Sequence, residues 1–157
     1  MKYKSGMTIL ELMTVIGIVA ILAAIGIPNY ISWLPKYRVG TAIRQLYTEM
    51  HLVKMNAIAE NNNYIITFDT TANSYSIYDD DDNDGADVAD LVKTIVVGES
   101  APNIIFGSVT FTGTPPRVTF KPTSLSNKNG TVEFLPAGDT SKLKKLTVLL
   151  TGRIRMY

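Results

Sequence analysis

The chain has 157 residues, enough for one domain of ordinary size with a buried core beside an apolar terminal segment. It contains no cysteine, which excludes disulfide bonds, thiol nucleophiles and cysteine metal sites. A formal net charge of +1 hides an asymmetry, because residues 79–99 carry eight acids and one lysine whereas residues 117–157 carry eight basic side chains and two acids.

The first predicted element is an uncharged segment near the N-terminus. No side chain between Glu11 and Lys36 is charged, and these 24 residues would form a helix of about 36 Å, enough to cross a bilayer core of about 30 Å. Two lysines precede the segment, as in a secretory signal, but the small residue at which a leader would be cut, Gly6, comes before the apolar run. Cleavage after Gly6 would therefore leave the membrane helix on the mature protein.

Glu11 lies one turn inside this predicted helix. A carboxylate at the middle of a membrane span costs roughly 2.5–3.5 kcal/mol, so we expect it to have a function and a partner. The nearest plausible cation is the amine that cleavage would free at Met7, most usefully on a neighbouring subunit. The alternative is an ordinary membrane anchor in which the glutamate is accidental.

The sequence Gly6-Met7-Thr8-Ile9-Leu10-Glu11 resembles the prepilin-peptidase recognition motif of type IV pilins and type II secretion pseudopilins. The shared features are glycine at the cut, an apolar first mature residue, glutamate at the fifth mature position and a long apolar helix. Pro28 also falls where many pilins carry a helix-kinking proline. The resemblance implies that residues 1–6 are removed, that Met7 is N-methylated and that Glu11 pairs with a neighbour's amine during filament assembly. Met7 stands where phenylalanine is the commonest residue.

Beyond Lys36 the helix is predicted to be amphipathic and to lay one face on a sheet, because apolar residues recur at spacings of four and three. That stripe consists of Val39, Ile43, Leu46, Met50, Val53 and Ala57. Pro28 and Pro35 each remove a backbone donor, which predicts a kink or a short loss of helix. The triplet Asn61-Asn62-Asn63 is predicted to end the helix, since asparagine tolerates left-handed conformations.

After Asn63 the apolar period changes to two, which is typical of strands. A hairpin is predicted at residues 64–68 and 74–78, and further strands at 91–97, 103–106, 109–111, 117–120, 131–134, 145–150 and 153–157, separated by Gly, Pro and Asn. One long helix followed by short strands predicts an α+β fold, with the helix packed on an antiparallel β domain that we expect to form two small sheets.

The part of the chain after Asn63 resembles the GspH/FimT family of minor pseudopilins and minor pilins. The resemblance rests on a hairpin, an Asp-rich loop, Phe120-Lys121-Pro122, a Gly-Thr-Val strand that begins at Gly130, and a terminal Gly152-Arg153-Ile154-Arg155. It covers nearly the whole chain and implies a pilin-like fold, with a leader at 1–6, a transmembrane and assembly helix at 7–35 and a globular domain at 36–157. Thr123-Ser124 departs from the pattern, because a glycine often follows Phe-x-Pro there.

The resemblance also implies location and partners. We expect a single-pass protein of the bacterial inner membrane whose globular domain is periplasmic, or extracellular once the filament is assembled. The implied partners are other pilin or pseudopilin subunits, prepilin peptidase and the inner membrane. The implied function is that of a minor pilin or pseudopilin of a type IV pilus or type II secretion filament. A purely structural secretion pseudopilin and a major pilin remain alternatives.

An acidic loop follows the hairpin and matches the first half of a calcium-binding loop, in which alternate carboxylates converge and a glycine, here Gly85, permits a sharp turn. The candidate ligands are Asp80, Asp82, Asp84, Asp87 and Asp90. The second half does not match, because the twelfth position counted from Asp80 is Leu91 and not a bidentate glutamate. The alternative is a solvated acidic loop without a metal, and no other cofactor is expected.

The C-terminal strand is the candidate ligand surface. Arg153, Arg155 and Tyr157 alternate with Ile154 and Met156, so the first three would share one face while the apolar pair faces the core. Two guanidinium groups beside a ring suit phosphates and a stacked base, and Lys142, Lys144 and Lys145 would enlarge the surface. Within the resembling family, some minor pilins of DNA uptake bind DNA through a terminal Gly-Arg-x-Arg. The alternative is that the arginines protect an edge strand from pairing.

Catalysis has little support in the sequence. The single histidine, His51, lies off the apolar stripe of its helix, and without cysteine the usual nucleophile and zinc arrangements are missing. We therefore expect His51 to be a surface polar residue and the protein not to be an enzyme.

Overall fold

The computed structural model of the chain describes residues 6–82 and 85–157. It consists of two compact units, Met1–Leu34 and Pro35–Tyr157. Residues 1–5 of the predicted leader and the predicted calcium ligand Asp84 lie outside the described residues.

The first unit contains the N-terminal part of a long helix, α1 (Ile9–Glu60), which is long and apolar enough to cross a membrane by length and composition. Its most apolar stretch has no buried residue, and most of its large side chains, among them Leu10, Ile16 and Ile25, are more than half exposed. Helical backbone continues through Pro28 and Pro35, so neither proline causes the loss of a turn.

In the second unit, the rest of α1 supplies one side of the hydrophobic core. All six residues of the predicted stripe are buried, and Gly40 and Ala42 are buried beside them. The helix ends at Glu60, and Asn61 follows with a φ of 58°, a left-handed conformation that asparagine tolerates. Both the amphipathic face and the predicted end of the helix are thus confirmed.

Two four-stranded antiparallel sheets complete the unit, as the strand pattern predicts. The elements after α1 are β1 (Asn63–Asp69), β2 (Ser74–Asp80), β3 (Leu91–Val96), α2 (Val97–Ser100), β4 (Ile104–Val109), β5 (Arg117–Phe120), β6 (Gly130–Pro136), a 3₁₀ turn (Thr140–Lys142), β7 (Lys144–Val148) and β8 (Ile154–Met156). The first sheet has the order β3-β2-β1-β5, and the second has the order β4-β6-β7-β8.

Four strand predictions need correction. The strands predicted at 103–106 and 109–111 are the single strand β4, because a register shift after Phe106 lets Val109 rejoin its partner Val132. Phe111 lies outside the strand, and its ring is buried in the core. The strand predicted at 145–150 ends at Val148, and β8 is shorter than predicted, because a turn closed by a 2.8 Å bond from the Gly152 N–H to the Leu149 carbonyl separates the two.

An aromatic cluster joins the two sheets. Phe68 of β1 stacks on Phe111 with ring centroids 5.6 Å apart and meets Phe106 of β4 edge-on at 6.0 Å. Phe106 in turn lies 5.0 Å from Phe134 of β6. Asn73, in the turn between β1 and β2, adds a polar link, because its side-chain amide bonds the Ile104 carbonyl at 2.8 Å and the Phe106 N–H at 3.1 Å. The sheets therefore share one core.

Gly152, the first residue of the Gly-Arg-x-Arg motif, lies where the β7–β8 turn meets two other segments. Its carbonyl accepts a 3.0 Å hydrogen bond from Lys54 Nζ on α1. Its φ is +69°, and a Cβ at this position would lie 1.9 Å from the Ser124 carbonyl oxygen. Ser124 itself has a φ of 66°, a left-handed conformation that glycine adopts without steric cost.

Substitutions at Gly152 and Ser124 are expected to change the free energy of unfolding differently. Gly152→Ala should lower the free energy of unfolding by about 2 kcal/mol or more, since it adds left-handed strain and a clash with backbone. Ser124→Gly should leave it unchanged or raise it by up to about 1 kcal/mol, because glycine relieves the strain but gains freedom in the unfolded chain. Urea denaturation of the full chain in detergent, followed by near-ultraviolet circular dichroism, measures both. A Gly152→Ala variant as stable as the wild type would contradict this close approach.

Candidate functional site

The N-terminal candidate site is built on a helix cap. The Thr8 carbonyl accepts the first helical hydrogen bond, from the Leu12 N–H at 3.1 Å. The Thr8 hydroxyl accepts the Glu11 N–H at 3.1 Å, so Thr8 is the N-cap of α1 and Glu11 lies at its third helical position. Thr8 is absent from the predicted site residues, although Thr-x-x-Glu is the spacing of a capping box.

This geometry places the predicted assembly residues side by side. Gly6 and Met7 are exposed, and they immediately precede the cap. Glu11 lies in the first turn of α1, where the unsatisfied backbone N–H groups favour a negative charge. The carboxylate is therefore presented about one turn away from the bond that the leader peptidase would cut.

The structure divides the six predicted DNA-binding residues into groups. Lys142 pairs with Asp139 at 2.9 Å, and Lys145 pairs with Glu133 at 2.7 Å across the β6–β7 register. Hydrogen bonds from Ser141, together with Lys142, lower the pKa of Asp139 to about 2, so that pair stays charged at physiological pH. Two of the lysines are therefore already neutralised by neighbouring acids.

The terminal residues are more open. Arg153, Arg155 and Tyr157 are exposed, and Arg155 Nη1 donates to the Tyr157 hydroxyl oxygen at 3.5 Å. Ile154 is buried, as predicted, but the prediction that Met156 also faces the core is wrong. Met156 is the last residue of β8 and is 42% exposed, because its side chain lies at the border of a cleft beside α1 and not under the sheet.

That cleft, which we call the basic cleft, has a volume of about 220 Å³ and is lined by Gly40, Ile43, Arg44, Lys144, Met156 and Tyr157. The two cations converge on Gly40, where a Cβ would lie 3.1 Å from Arg44 Nη2 and 3.7 Å from Lys144 Nζ. Arg44 is held by a 3.0 Å bond from its Nε to the Gly40 carbonyl. The sequence pattern does not indicate Arg44, which lies far from β8 along the chain.

The acidic loop brings together some of the predicted calcium ligands. Asp80, Asp82 and Asp90 each place a carboxylate oxygen within 4.8 Å of the other two. Asp80 is buried, and its Oδ1 accepts the Gly85 N–H at 2.9 Å. Asp87 is not in the group, because its Oδ1 accepts the N–H groups of Ala89 at 2.6 Å and Asp90 at 3.2 Å. Calcium binding stays a prediction, and among the described candidates these three carboxylates lie close enough together to share an ion.

His51 is packed against a neighbouring ring. It is half-buried and not a surface residue, and its ring centroid lies 4.4 Å from that of Tyr47. Burial, and then the charge of Lys54, lower the pKa of His51, so its neutral form is favoured at neutral pH. Among the described residues its buried Nε2 has no hydrogen-bond partner, which fits a packing role better than proton transfer.

Comparison with protein families matches both parts of the chain. Residues 42–152 match the model described as type II transport protein GspH, and residues 1–27 match the prokaryotic N-terminal methylation motif. Prepilin peptidase-dependent protein D of Escherichia coli (strain K12) is 58% identical over 36 residues, which are 23% of this chain and 25% of that protein. The chain thus matches only a quarter of that relative's length.

Two solved structures share the fold. The minor pseudopilin EpsH from the type 2 secretion system of Vibrio cholerae matches with a TM-score of 0.62 at 11% identity, over 76% of this chain and 96% of that one. The type IV minor pilin FimU of Pseudomonas aeruginosa (strain PAO1) matches with a TM-score of 0.58 at 14% identity, over 76% of this chain and 87% of that one. These matches confirm the predicted α+β pilin-like fold.

If the acidic loop binds calcium, calorimetric titration of the full chain should show saturable heat that Asp82→Ala reduces at least about tenfold in affinity, because the variant loses one of three charged ligands. Asp87→Asn is the matched control. It also removes one negative charge from the loop, but it keeps an oxygen for the turn and lies outside the carboxylate group, so its affinity should stay closer to that of the wild type. Absence of heat at millimolar calcium would end the calcium hypothesis.

Proposed function

The chain belongs to the GspH family of type II transport proteins and is a minor pseudopilin or minor pilin, and we propose that it joins its filament through the first half of α1. In this proposal the leader is cut after Gly6, Met7 becomes the methylated N-terminus, and Glu11 pairs with the N-terminal amine of a neighbouring subunit. The protein acts as a structural subunit and not as a catalyst.

The observation that carries the proposal is the exposed apolar surface of the first unit. Its large aliphatic side chains are not buried by any of the described residues of that unit. Each such side chain gains about 1.5–3 kcal/mol when it leaves water, so the helix must be covered. A bilayer covers it before assembly, and the same helices of other subunits cover it in the filament.

Glu11 supplies what apolar burial lacks, which is a fixed register. Contacts among aliphatic side chains are non-directional, so they do not by themselves fix the position of one helix along another. A charge that is costly to bury unpaired is satisfied at a single axial position, where the amine of a neighbour reaches it. The Thr8 cap supports this role by fixing the helical turn that carries the carboxylate.

The proposed location follows from the family and the apolar helix. Before assembly the protein is a single-pass protein of the bacterial inner membrane, with the second unit in the periplasm. Its partners are prepilin peptidase, other pilin or pseudopilin subunits and the membrane itself. In the assembled filament the second unit faces outward, in the periplasm or outside the cell.

Two variants separate processing from assembly. Gly6→Leu should keep the leader attached and give no filaments, because the bulky side chain fills the position at which the peptidase needs a small residue. Glu11→Gln should be cut normally but should reduce filament incorporation at least about tenfold, since it removes the charge and keeps the side-chain shape. Mass spectrometry of the N-terminus and immunoblots of sheared filaments measure the two steps.

Thr14→Ser is the matched control for these variants, because it also changes a polar side chain in the apolar helix but keeps the hydroxyl that bonds the Glu11 carbonyl at 2.8 Å. It should be processed and assembled like the wild type. Normal filaments from the Glu11→Gln chain would overturn the proposed pairing.

A second candidate function is DNA binding by the C-terminal strand. What favours it is the exposure of Arg153 and Arg155 beside the Tyr157 ring. The ion pairs of Lys142 and Lys145 weigh against the full predicted surface. We therefore propose that any DNA contact is limited to the arginines, Tyr157 and Lys144, a small surface whose affinity would fall with salt.

A titration of labelled DNA with the full chain in detergent at several salt concentrations tests this candidate. Arg153→Ala with Arg155→Ala should weaken binding and lower the log–log salt slope by about 2, roughly one unit for each phosphate that is no longer neutralised. Lys142→Ala with Lys145→Ala should change the slope little, because these lysines already face carboxylates. If no DNA binds even at low salt, this candidate function is wrong, and the arginines are better explained as protecting an edge strand from pairing.

A further inference from the structure

The basic cleft holds two cations that lack acidic partners. Among the described residues, neither Arg44 nor Lys144 has a carboxylate within ion-pair distance, whereas Lys93, Lys142 and Lys145 each have one. Arg44 Nη2 and Lys144 Nζ both lie within 4 Å of the point where a Cβ on Gly40 would be. Two like charges held together repel each other, so an anion between them would be stabilised by both.

The cleft is also partly apolar. Ile43 and Met156 contribute aliphatic surface, and the Tyr157 ring forms part of the wall. Its volume of about 220 Å³ suits one or two side chains and not a folded domain or a nucleic-acid groove. The expected occupant is therefore a carboxylate with apolar neighbours, as an acidic segment of a protein provides.

The same chain carries a surface of that chemistry. Asp79, Asp81, Asp82, Ala89, Asp90, Leu91 and Val92 line an open concavity of about 500 Å³ beside β3, and we call it the acidic surface. Its apolar side chains are exposed, and so is Val88 next to it. β3 is the outer strand of its sheet, so its outer edge is not paired with another of the described strands.

We propose that the basic cleft of one subunit binds the acidic surface of a second copy of this chain. Such a contact joins two different patches, so it is heterologous and leaves the other patch of each copy open to a further neighbour. The inference rests on the proposed function and adds to it a contact between globular domains that is separate from the helix contact at Glu11.

The contact is expected to be weak, so it forms only where the local concentration of subunits is high. Exposed ion pairs are individually weak and are screened by salt, so two of them do not hold dilute proteins together. Subunits anchored in one membrane or one filament have a high effective concentration, which converts a weak contact into an occupied one. The contact is therefore expected between membrane-anchored copies, and it should weaken as salt rises.

Nucleic acid is the less favoured occupant. A duplex presents a continuous row of phosphates and needs a row of free cations. Here the lysines on both sides of Lys144 in this region, Lys142 and Lys145, are paired with acids. The aliphatic surface of Ile43 and Met156 adds nothing to a phosphate contact, whereas it matches the exposed Leu91 and Val92 of the acidic surface.

The absence of cysteine allows a direct cross-linking test. One full-length copy carries Ala89→Cys in the acidic surface, and a differently tagged copy carries Met156→Cys at the cleft. Both are reconstituted together in phosphatidylcholine vesicles and treated with a short bis-maleimide. The proposal predicts cross-links between the two different copies and few between identical ones, with a yield that falls as salt rises.

Charge changes then identify the surfaces. Arg44→Glu with Lys144→Glu in the Met156→Cys copy should lower the yield about fivefold, the factor expected from two exposed ion pairs. Adding Asp81→Lys with Asp82→Lys to the other copy should restore it. Arg117→Glu with Lys121→Glu, the same charge change on exposed residues outside the cleft, is the matched control and should leave the yield near that of the starting pair. Equal denaturation midpoints verify that all variants are folded.

Three results would overturn the proposal: a yield that does not respond to the cleft variant, a loss that the control shares, or a loss that the compensating change fails to restore. Cross-linking that added duplex DNA abolishes through Arg44 and Lys144 would instead assign the cleft to nucleic acid. The proposed function is tested separately with Glu11→Gln. If Glu11→Gln still blocks filaments while the cleft variant leaves the cross-linking yield unchanged, only the proposed contact between copies is wrong. If it assembles normally, the proposed function fails whatever the yield.

Discussion

The constraint on which this molecule depends is that the first half of α1 cannot remain in water. Its apolar side chains are exposed in the isolated chain, and none of the described residues of its own unit forms a core that covers them. The free energy of covering them is large but non-directional, so it favours a membrane or a helical bundle without choosing a register. A single carboxylate, Glu11, in a turn capped by Thr8, adds the missing positional requirement.

The second half of α1 is instead part of the hydrophobic core of the second unit. Its buried stripe, from Val39 to Ala57, completes a core that both sheets share, with Phe68, Phe106 and Phe134 joining the sheets. Lys54 ties this part of the helix to the β7–β8 turn at Gly152. The position of the terminal arginines is therefore set by the core and the helix together. At Gly152 itself the backbone carbonyl of Ser124 occupies the space that a side chain would need.

Local patterns predicted the features that depend on neighbours in the chain. Helical spacing identified the buried stripe, and the asparagines marked the end of α1. Features that depend on long-range packing were not predictable. Nothing in the sequence indicates that β5 pairs with β1 while β4 joins the other sheet, because both are short apolar runs. Likewise, Lys145 is neutralised by Glu133 only through the β6–β7 register, and Arg44 meets Lys144 only because α1 packs beside the start of β7.

The central claim is that Glu11 of one subunit pairs with the N-terminal amine of another. The most direct measurement is solid-state NMR on filaments in which this chain carries ¹³C-carboxyl glutamate and the neighbouring pilin subunits carry a ¹⁵N-labelled N-terminal amine. Dipolar coupling between that amine nitrogen and the Glu11 carboxyl carbon then arises only between subunits. We predict a coupling that corresponds to ion-pair distance, about 4 Å. A filament in which the methylated amine is visible but shows no such coupling would contradict the account.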